Sequence, residues 1–313
     1  MSRKIILASA QIDMSYLLPT FAKLAPELDI HLHAESGAPE DADTVLCWHA
    51  PAGLFGTLPR LRLVQSIAAG VDHILADPSL PPDVPICRVI DPDMASGMVA
   101  YVVWAVAYRH RNFDQYLARS AQGLWQESPI VPTRLHRVGI AGLGVLGTAV
   151  AKALKTIGYD VAGWSRSPKP DLPDGIQGFH GADQLGEFLA RTDSLVCLLP
   201  LTDDTKGFLN ARLFARLPAG AHLINVGRGA HLIEEDLLAA LDRGQLGAAT
   251  LDAFTQEPLP EGHPFWRDPR IIVTPHIATR TGPTVVVTQL LANLARQDAG
   301  TPLFGAIDRQ RGY

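Results

Sequence analysis

Short apolar runs closed by turn residues recur along the chain and predict strands. In the first hundred residues they fall at Ile5 to Ala8, Ile30 to His33, Thr44 to Trp48, Leu63 to Ile67 and Ile86 to Val89. Turn residues, or helical patterns such as Ser15 to Leu24, lie between several of them. Such alternation predicts a small parallel α/β unit. A strongly apolar helix follows from Met98 to His110, then an irregular stretch, Arg111 to Thr133, with Trp125, Pro129 and Pro132. From His136 the pattern sharpens. Strands are predicted at His136 to Ile140, Tyr159 to Trp164, Ser194 to Leu198, His222 to Val226, Ala248 to Leu251 and Ile271 to Thr274. Helices are predicted at Thr148 to Ile157, Asp183 to Arg191, Asn210 to Leu217 and Glu234 to Arg243, with Asn210 and Glu234 suited to open theirs. This second series predicts a doubly wound sheet. A last apolar helix, Thr284 to Asp298, is placed to cross back to the first unit.

Composition narrows the class. The chain has 313 residues, a length that suits two domains. Apolar residues make up 47% and charged residues 19%, which describes a globular protein with ample core. The net charge is −5, and no basic block offers a footprint for nucleic acid. The longest apolar run, Gly97 to Tyr108, is shorter than the roughly 20 residues of a spanning helix. No polybasic amphipathic stretch is present to hold a membrane surface. The opening, Met1-Ser2-Arg3-Lys4 before Ile5 to Ala10, reads as a first strand rather than a signal peptide, because Gln11 and Asp13 follow at once. Cys47, Cys87 and Cys197 are scattered in apolar runs, as expected for reduced thiols in a cytoplasmic protein. His31 and His33 lack the further ligands of a metal site, so no metal is expected.

The chemistry begins at a glycine turn, Gly142-Leu143-Gly144-Val145-Leu146-Gly147, between a predicted strand and a predicted helix. That is the required setting for a dinucleotide fingerprint. The first glycine makes the turn, the second admits the pyrophosphate, and the third packs helix on strand. The anion then rests on the helix N-terminus. The next strand ends Trp164-Ser165-Arg166-Ser167, with no acidic residue before Asp171 to take a ribose 2′-hydroxyl. Ser165, Arg166, Ser167 and Lys169 suit a 2′-phosphate, so NADPH is expected over NADH.

Three further residues stand where strands give way to turns. Arg228 is flanked by Gly227 and Gly229, Glu257 lies in Gln256-Glu257-Pro258, and His276 follows Thr274-Pro275. Taken singly, each has an ordinary structural explanation. Together, a guanidinium, a carboxylate and an imidazole suit an enzyme that grips an anionic substrate and hands it a proton. Reduction of a 2-oxo acid needs this set. Arg228 would hold the carboxylate and polarise the carbonyl, and Glu257 would prepare His276 as the acid.

The chain resembles the D-2-hydroxyacid dehydrogenase family, most of all its glyoxylate/hydroxypyruvate reductase A branch. The likeness runs through Val45-Leu46-Cys47-Trp48-His49, Ala69-Gly70-Val71-Asp72, the glycine turn, Trp164-Ser165-Arg166 and Leu198-Leu199-Pro200. It continues through Asp236 to Asp242, Leu251-Asp252-Ala253-Phe254, Glu257 to Pro260, Thr274-Pro275-His276 and the ending Ile307 to Tyr313. The resemblance implies that Arg228, Glu257 and His276 are catalytic. It implies two doubly wound parallel-sheet domains with an interdomain cleft: a Rossmann cofactor domain at 99–283, and a smaller flavodoxin-like substrate domain from 1–98 and 284–313. Backbone at Ala69 and Gly70 would bind the substrate carboxylate, and Trp48 and Met94 would wall a small pocket. Leu199, Pro200, Val226, Gly227 and Asp252 would line the nicotinamide side. A homodimer is implied as well. The expected reaction is NADPH-dependent reduction of glyoxylate and hydroxypyruvate. The alternatives are another small D-2-hydroxy acid, or a redox-sensing binding protein. Against the latter stand the intact trio and the lack of a basic or disordered tail.

Overall fold

The computed structural model describes residues 3–36 and 39–309. The first two residues and 310–313, which carry the last part of the family-like ending, lie outside the described residues. The chain divides into two compact units, Met1–Pro92 with Arg280–Tyr313, and Asp93–Thr279.

The first unit is built on five strands: β1 (Lys4–Ser9), β2 (Asp29–Leu32), β3 (Thr44–Trp48), β4 (Leu63–Ser66) and β5 (Ile86–Cys87). They pair in parallel in the order β2-β1-β3-β4-β5, a flavodoxin-like doubly wound sheet. Successive side chains of a strand point to opposite faces. Ile5 and Leu7 therefore enter one core with Leu46 and Leu63, while Ile6 and Ala8 enter the other with Val45 and Val64. Burial on both faces explains why these strands read as unbroken apolar runs. The helix Pro283–Asp298 buries Val286, Val287, Leu290 and Leu294 in the first of these cores.

The second unit holds seven strands: β6 (Arg137–Ala141), β7 (Asp160–Ser165), β8 (Gln177–His180), β9 (Ser194–Cys197), β10 (Ala221–Asn225), β11 (Leu246–Leu251) and β12 (Ile271–Val273). All pair in parallel, in the order β12-β11-β10-β9-β6-β7-β8. The strand order reverses between β6 and β9, and in such sheets ligands bind outside the carboxyl ends at that point. One core lies on each face of this sheet.

Several elements depart from the sequence reading. His33 is not in β2 but opens the short helix His33–Ser36, so His31 and His33 do not share a strand face. The stretch read as irregular contains the helix Phe113–Ala121, which buries none of its residues and so carries no core-facing stripe. Strand β8 was not expected: only Phe179 of its four residues is buried, and pairing with β7 creates it. The helix expected at Asn210 to Leu217 is shorter, Ala211–Phe214, with the Asn210 side chain capping its Arg212 and Leu213 N–H groups. Among the described residues, no helix is long and apolar enough to cross a membrane. The three cysteines are free and buried.

Candidate active site

The glycine turn leaves the end of β6, where the strand order reverses. Gly142 has φ +109°, and a Cβ there would lie 2.5 Å from the Leu198 carbonyl oxygen. Only glycine lets the exits of β6 and β9 run side by side at this distance. A Cβ on Gly147 would lie 1.8 Å from the Gly142 carbonyl oxygen, so glycine also permits the helix Val145–Ile157 to close on the turn. Gly144 is the opposite case: nothing lies within 4 Å of its Cβ position. Backbone there is open to a ligand, at the N-terminus of a helix of 13 residues. Val145, the first residue of that helix, is 78% exposed and Leu146 only partly so. These three glycines fit the division of labour a dinucleotide pyrophosphate requires.

Beside the turn, β7 ends in Trp164 and Ser165. The Trp164 indole is buried, stacked on Phe208 at 5.5 Å, and its Nε1–H donates to the Gly181 carbonyl (2.9 Å). Ser165 is buried too, and its hydroxyl donates to the Ser167 carbonyl (2.8 Å), which shapes the loop. Arg166, Ser167 and Lys169 are exposed on that loop.

The exits of β10, β11 and β12, three neighbouring strands, carry the other polar residues. The turn after β10 is tightly bonded. Asn225 Nδ2 donates to the Arg228 carbonyl (3.0 Å), and Asn225 Oδ1 accepts from the Gly227 N–H (3.2 Å). The Arg228 N–H donates to Nδ1 of buried His231 (3.0 Å), which leaves His231 Nε2–H to meet the Pro200 carbonyl (3.3 Å). A Cβ on Gly229 would lie 1.8 Å from the Phe254 carbonyl carbon, so Arg228 is threaded against the segment leading to Glu257. Leu199 joins this assembly, since its carbonyl oxygen is 3.4 Å from the Cβ position of Gly227, and Val226 is buried behind it.

His276 lies three residues past β12 in left-handed backbone, φ +52°. Its Nδ1–H donates to the Glu257 carboxylate, 2.9 Å to Oε2 and 3.1 Å to Oε1. Glu257 Oε1 also accepts from the Phe254 N–H (2.9 Å). Burial acts to raise the Glu257 carboxyl. The hydrogen bond and charge of His276, the Phe254 N–H and the Arg228 charge outweigh it and hold the group below its ordinary range. Nδ1 of His276 is thus fixed, and with it the orientation of the ring. Arg228, Glu257 and His276 are brought together.

Asp252, at the exit of β11, is only 2% exposed. Its Oδ1 accepts from the Thr274 hydroxyl (2.6 Å) and the Ile277 N–H (2.9 Å), and its Oδ2 from the Ala278 N–H (2.8 Å). Burial pushes this carboxyl above its ordinary range, against those three donors. Asp252 therefore frames the turn that carries His276. Sequence reading missed two such supports, His231 and Thr274. The available signal was a hydrogen-bonding side chain three residues after Arg228 and two before His276.

In the second unit, Met94 is buried in the helix Pro92–His110, and its carbonyl accepts from the Thr279 hydroxyl (2.9 Å). In the first unit, Trp48 ends β3 with its ring edge-on to His49 and His73, at 4.9 and 4.7 Å. Ala69 and Gly70 lie in the loop after β4. Ser66 Oγ pins that loop, accepting from the Ala68 N–H (3.1 Å) and donating to the Gly70 carbonyl (2.8 Å). No group of three metal-ligating side chains occurs among the described residues.

Known proteins resemble this chain in sequence and fold. Residues 103–278 match the family model described as D-isomer specific 2-hydroxyacid dehydrogenase, NAD binding domain. A glyoxylate/hydroxypyruvate reductase A from Serratia proteamaculans is 44% identical over 286 residues, covering 89% of this chain and 90% of that protein. A D-isomer specific 2-hydroxyacid dehydrogenase from Xanthobacter autotrophicus Py2, solved with NADPH and MES, superposes with a TM-score of 0.90 at 38% identity, covering 100% of both chains. An NADPH-dependent glyoxylate/hydroxypyruvate reductase from Sinorhizobium meliloti, solved with NADP and sulfate, gives 0.92 at 34% identity, again over 100% of both chains. With its fingerprint turn and two parallel sheets, the chain belongs to the D-isomer specific 2-hydroxyacid dehydrogenase family of NAD(P)-dependent oxidoreductases.

Proposed function

We propose that the protein reduces small 2-oxo acids, glyoxylate to glycolate and hydroxypyruvate to glycerate, and prefers NADPH. The observation that carries the reading is the Glu257–His276 hydrogen bond beside Arg228 at three adjacent strand exits.

Gly142, Gly144, Val145, Leu146 and Gly147 would hold the cofactor, which would supply a hydride for the C2 carbon of the substrate. The chain's own residues do the rest. Arg228 forks onto the substrate carboxylate, which fixes the carbonyl in place. His276 donates its Nε2 proton to the carbonyl oxygen, so that the reduced oxygen leaves as a hydroxyl. Glu257, held ionised, accepts from the imidazole Nδ1–H and fixes the plane of the ring. Leu199, Pro200, Val226 and Gly227 border the ring side, with Asp252 behind them. Ala69, Gly70, Trp48 and Met94 are assigned to the substrate side on the family resemblance. Arg166, Ser167 and Lys169 are assigned to the 2′-phosphate, because the loop after β7 offers cations and hydroxyls where an NAD site has a carboxylate.

The protein is proposed to act as a cytoplasmic homodimer. Three free buried thiols suit a reducing compartment. Phe113, Leu117, Leu124, Trp125 and Ile130 are all close to half exposed or more, and they favour a partner on that side of the second unit.

The test is a panel of 2-oxo acids with NADPH and NADH, run on the wild type and on Arg166→Asp. Glyoxylate and hydroxypyruvate should be turned over fastest with NADPH. The variant should lose about 10-fold or more in kcat/KM for NADPH and little for NADH. Fast turnover of a bulky 2-oxo acid with little on glyoxylate would defeat the substrate assignment. An unchanged cofactor preference would defeat the 2′-phosphate assignment.

A further inference from the structure

The helix Pro92–His110 grips the His276 turn on both sides of the histidine. Before it in the chain, Thr274 Oγ1 lies 2.5 Å from the Tyr101 hydroxyl. After it, Ala278 packs in one core with Met98 and Val102, and Thr279 Oγ1 donates to the Met94 carbonyl (2.9 Å). Met94, Met98 and Tyr101 are spaced four and three apart, which puts them on one face of the helix. The fit along that face is close, since a Cβ on Gly97 would lie 3.3 Å from Thr279 Oγ1.

The direction of the polar contacts follows from counting protons. A threonine hydroxyl has one proton to give. Thr274 gives it to Asp252 Oδ1 at 2.6 Å, since its other acceptor, the Leu251 carbonyl, is 3.5 Å away. Its lone pairs therefore face Tyr101, and the phenol O–H is the donor there. A relay results, from Tyr101 to Thr274 to Asp252. The same carboxylate takes the Ile277 and Ala278 N–H groups, which come directly after His276. His276 itself has φ +52°, a conformation that non-glycine residues keep only where surroundings impose it.

We propose that Tyr101 and Thr274 are positioning residues for the proton-transfer step: their hydroxyl relay locks Asp252, and Asp252 locks the left-handed turn that aims the imidazole. This rests on the reading of His276 as proton donor. Both residues act through Asp252 and not on the substrate, so their loss lowers the rate of the chemical step and leaves binding in place.

The experiment compares Tyr101→Phe, Thr274→Val, Thr274→Ser and His276→Ala in the full-length protein. Steady-state kinetics use NADPH and hydroxypyruvate, with NADPH binding followed by fluorescence. Thr274→Val and Tyr101→Phe should each lower kcat about 10-fold, with both KM values within about twofold. Thr274→Ser restores the hydroxyl and should recover most of the turnover lost in Thr274→Val. The double variant Tyr101→Phe with Thr274→Val should be no slower than Thr274→Val alone, because the two hydroxyls act in series. A raised KM with unchanged kcat, or a Thr274→Ser enzyme as slow as Thr274→Val, overturns the proposal. Should Thr274→Val fail to fold, Tyr101→Phe decides alone, since it deletes one oxygen and keeps the ring. A slow His276→Ala with fast Tyr101→Phe and Thr274→Val would remove this proposal only. A fast His276→Ala would remove the reading beneath it.

Discussion

The carboxyl ends of the seven-stranded sheet hold His276 against the Glu257 carboxylate, while the amino ends hold histidines bonded to hydroxyls, and at His136 burial outweighs the nearby Asp193 charge. His136 stands just before β6, stacked on His110 at 4.4 Å and bonded to the Ser194 hydroxyl (2.9 Å). His222, near the start of β10, is 3% exposed and bonds the Thr250 hydroxyl (3.0 Å). Burial lowers His136 to about 4 and His222 to about 3, and it lowers His110 as well. The residue type is the same at both ends of one sheet. Partner and burial set the two kinds of imidazole apart: core groups that burial keeps neutral at one end, and one hydrogen-bonded to a carboxylate at the other.

Apart from His276 itself, this contrast can be broken most severely at Arg228. Replacing it with Met would remove the proposed grip on the substrate carboxylate. The expected loss is about 30- to 5,000-fold in kcat/KM for the 2-oxo acid, as for a truncated buried charge pair. NADPH affinity should stay near wild type when measured by fluorescence titration. Glu257→Gln makes the carboxyl-end histidine resemble the amino-end ones by removing its charged partner. Turnover should fall about 10- to 100-fold, because the imidazole loses the charged acceptor that fixes its orientation. Steady-state kcat for both enzymes checks this.

The smallest effect belongs to the amino-end histidines and appears in stability. Their folded pKa values lie below the unfolded value of about 6.5. Above that pH neither state binds the proton, and they contribute nothing. As pH falls below about 6.5 the unfolded chain takes up protons that the folded one refuses, so stability declines. Between pH 6.5 and 5 each histidine should cost up to roughly 1.4 kcal/mol per pH unit. Calorimetric Tm should therefore fall over that window, and fall less steeply in His136→Gln.

Most of this architecture was legible in the residues, for a physical reason. Strands buried on both faces announce themselves as apolar runs, and β3 begins and ends where its pattern does, at Thr44 and Trp48. Glycines betray close approach: Gly142, Gly147 and Gly229 all stand where a Cβ would collide with backbone. Elements created by their surroundings were harder to see. The edge strand β8 buries one residue and so has no apolar run; the helix Phe113–Ala121 has apolar residues at helical spacing, Phe113, Tyr116 and Leu117, but it is short and buries none of them. At the site, Arg228, Glu257 and His276 stood out because each follows a strand. Tyr101 did not, because on a helix it read as one more aromatic of an apolar face, and its bond to Thr274 spans 173 positions of sequence.

The central claim is that the imidazole paired with Glu257 delivers the proton to the reduced carbonyl. Single-turnover oxidation of bound NADPH by hydroxypyruvate, followed at 340 nm in wild type and His276→Ala, tests it most directly. The rate in the variant should fall by roughly 10²–10⁴-fold while NADPH still binds. A variant that transfers hydride at the wild-type rate would contradict the claim.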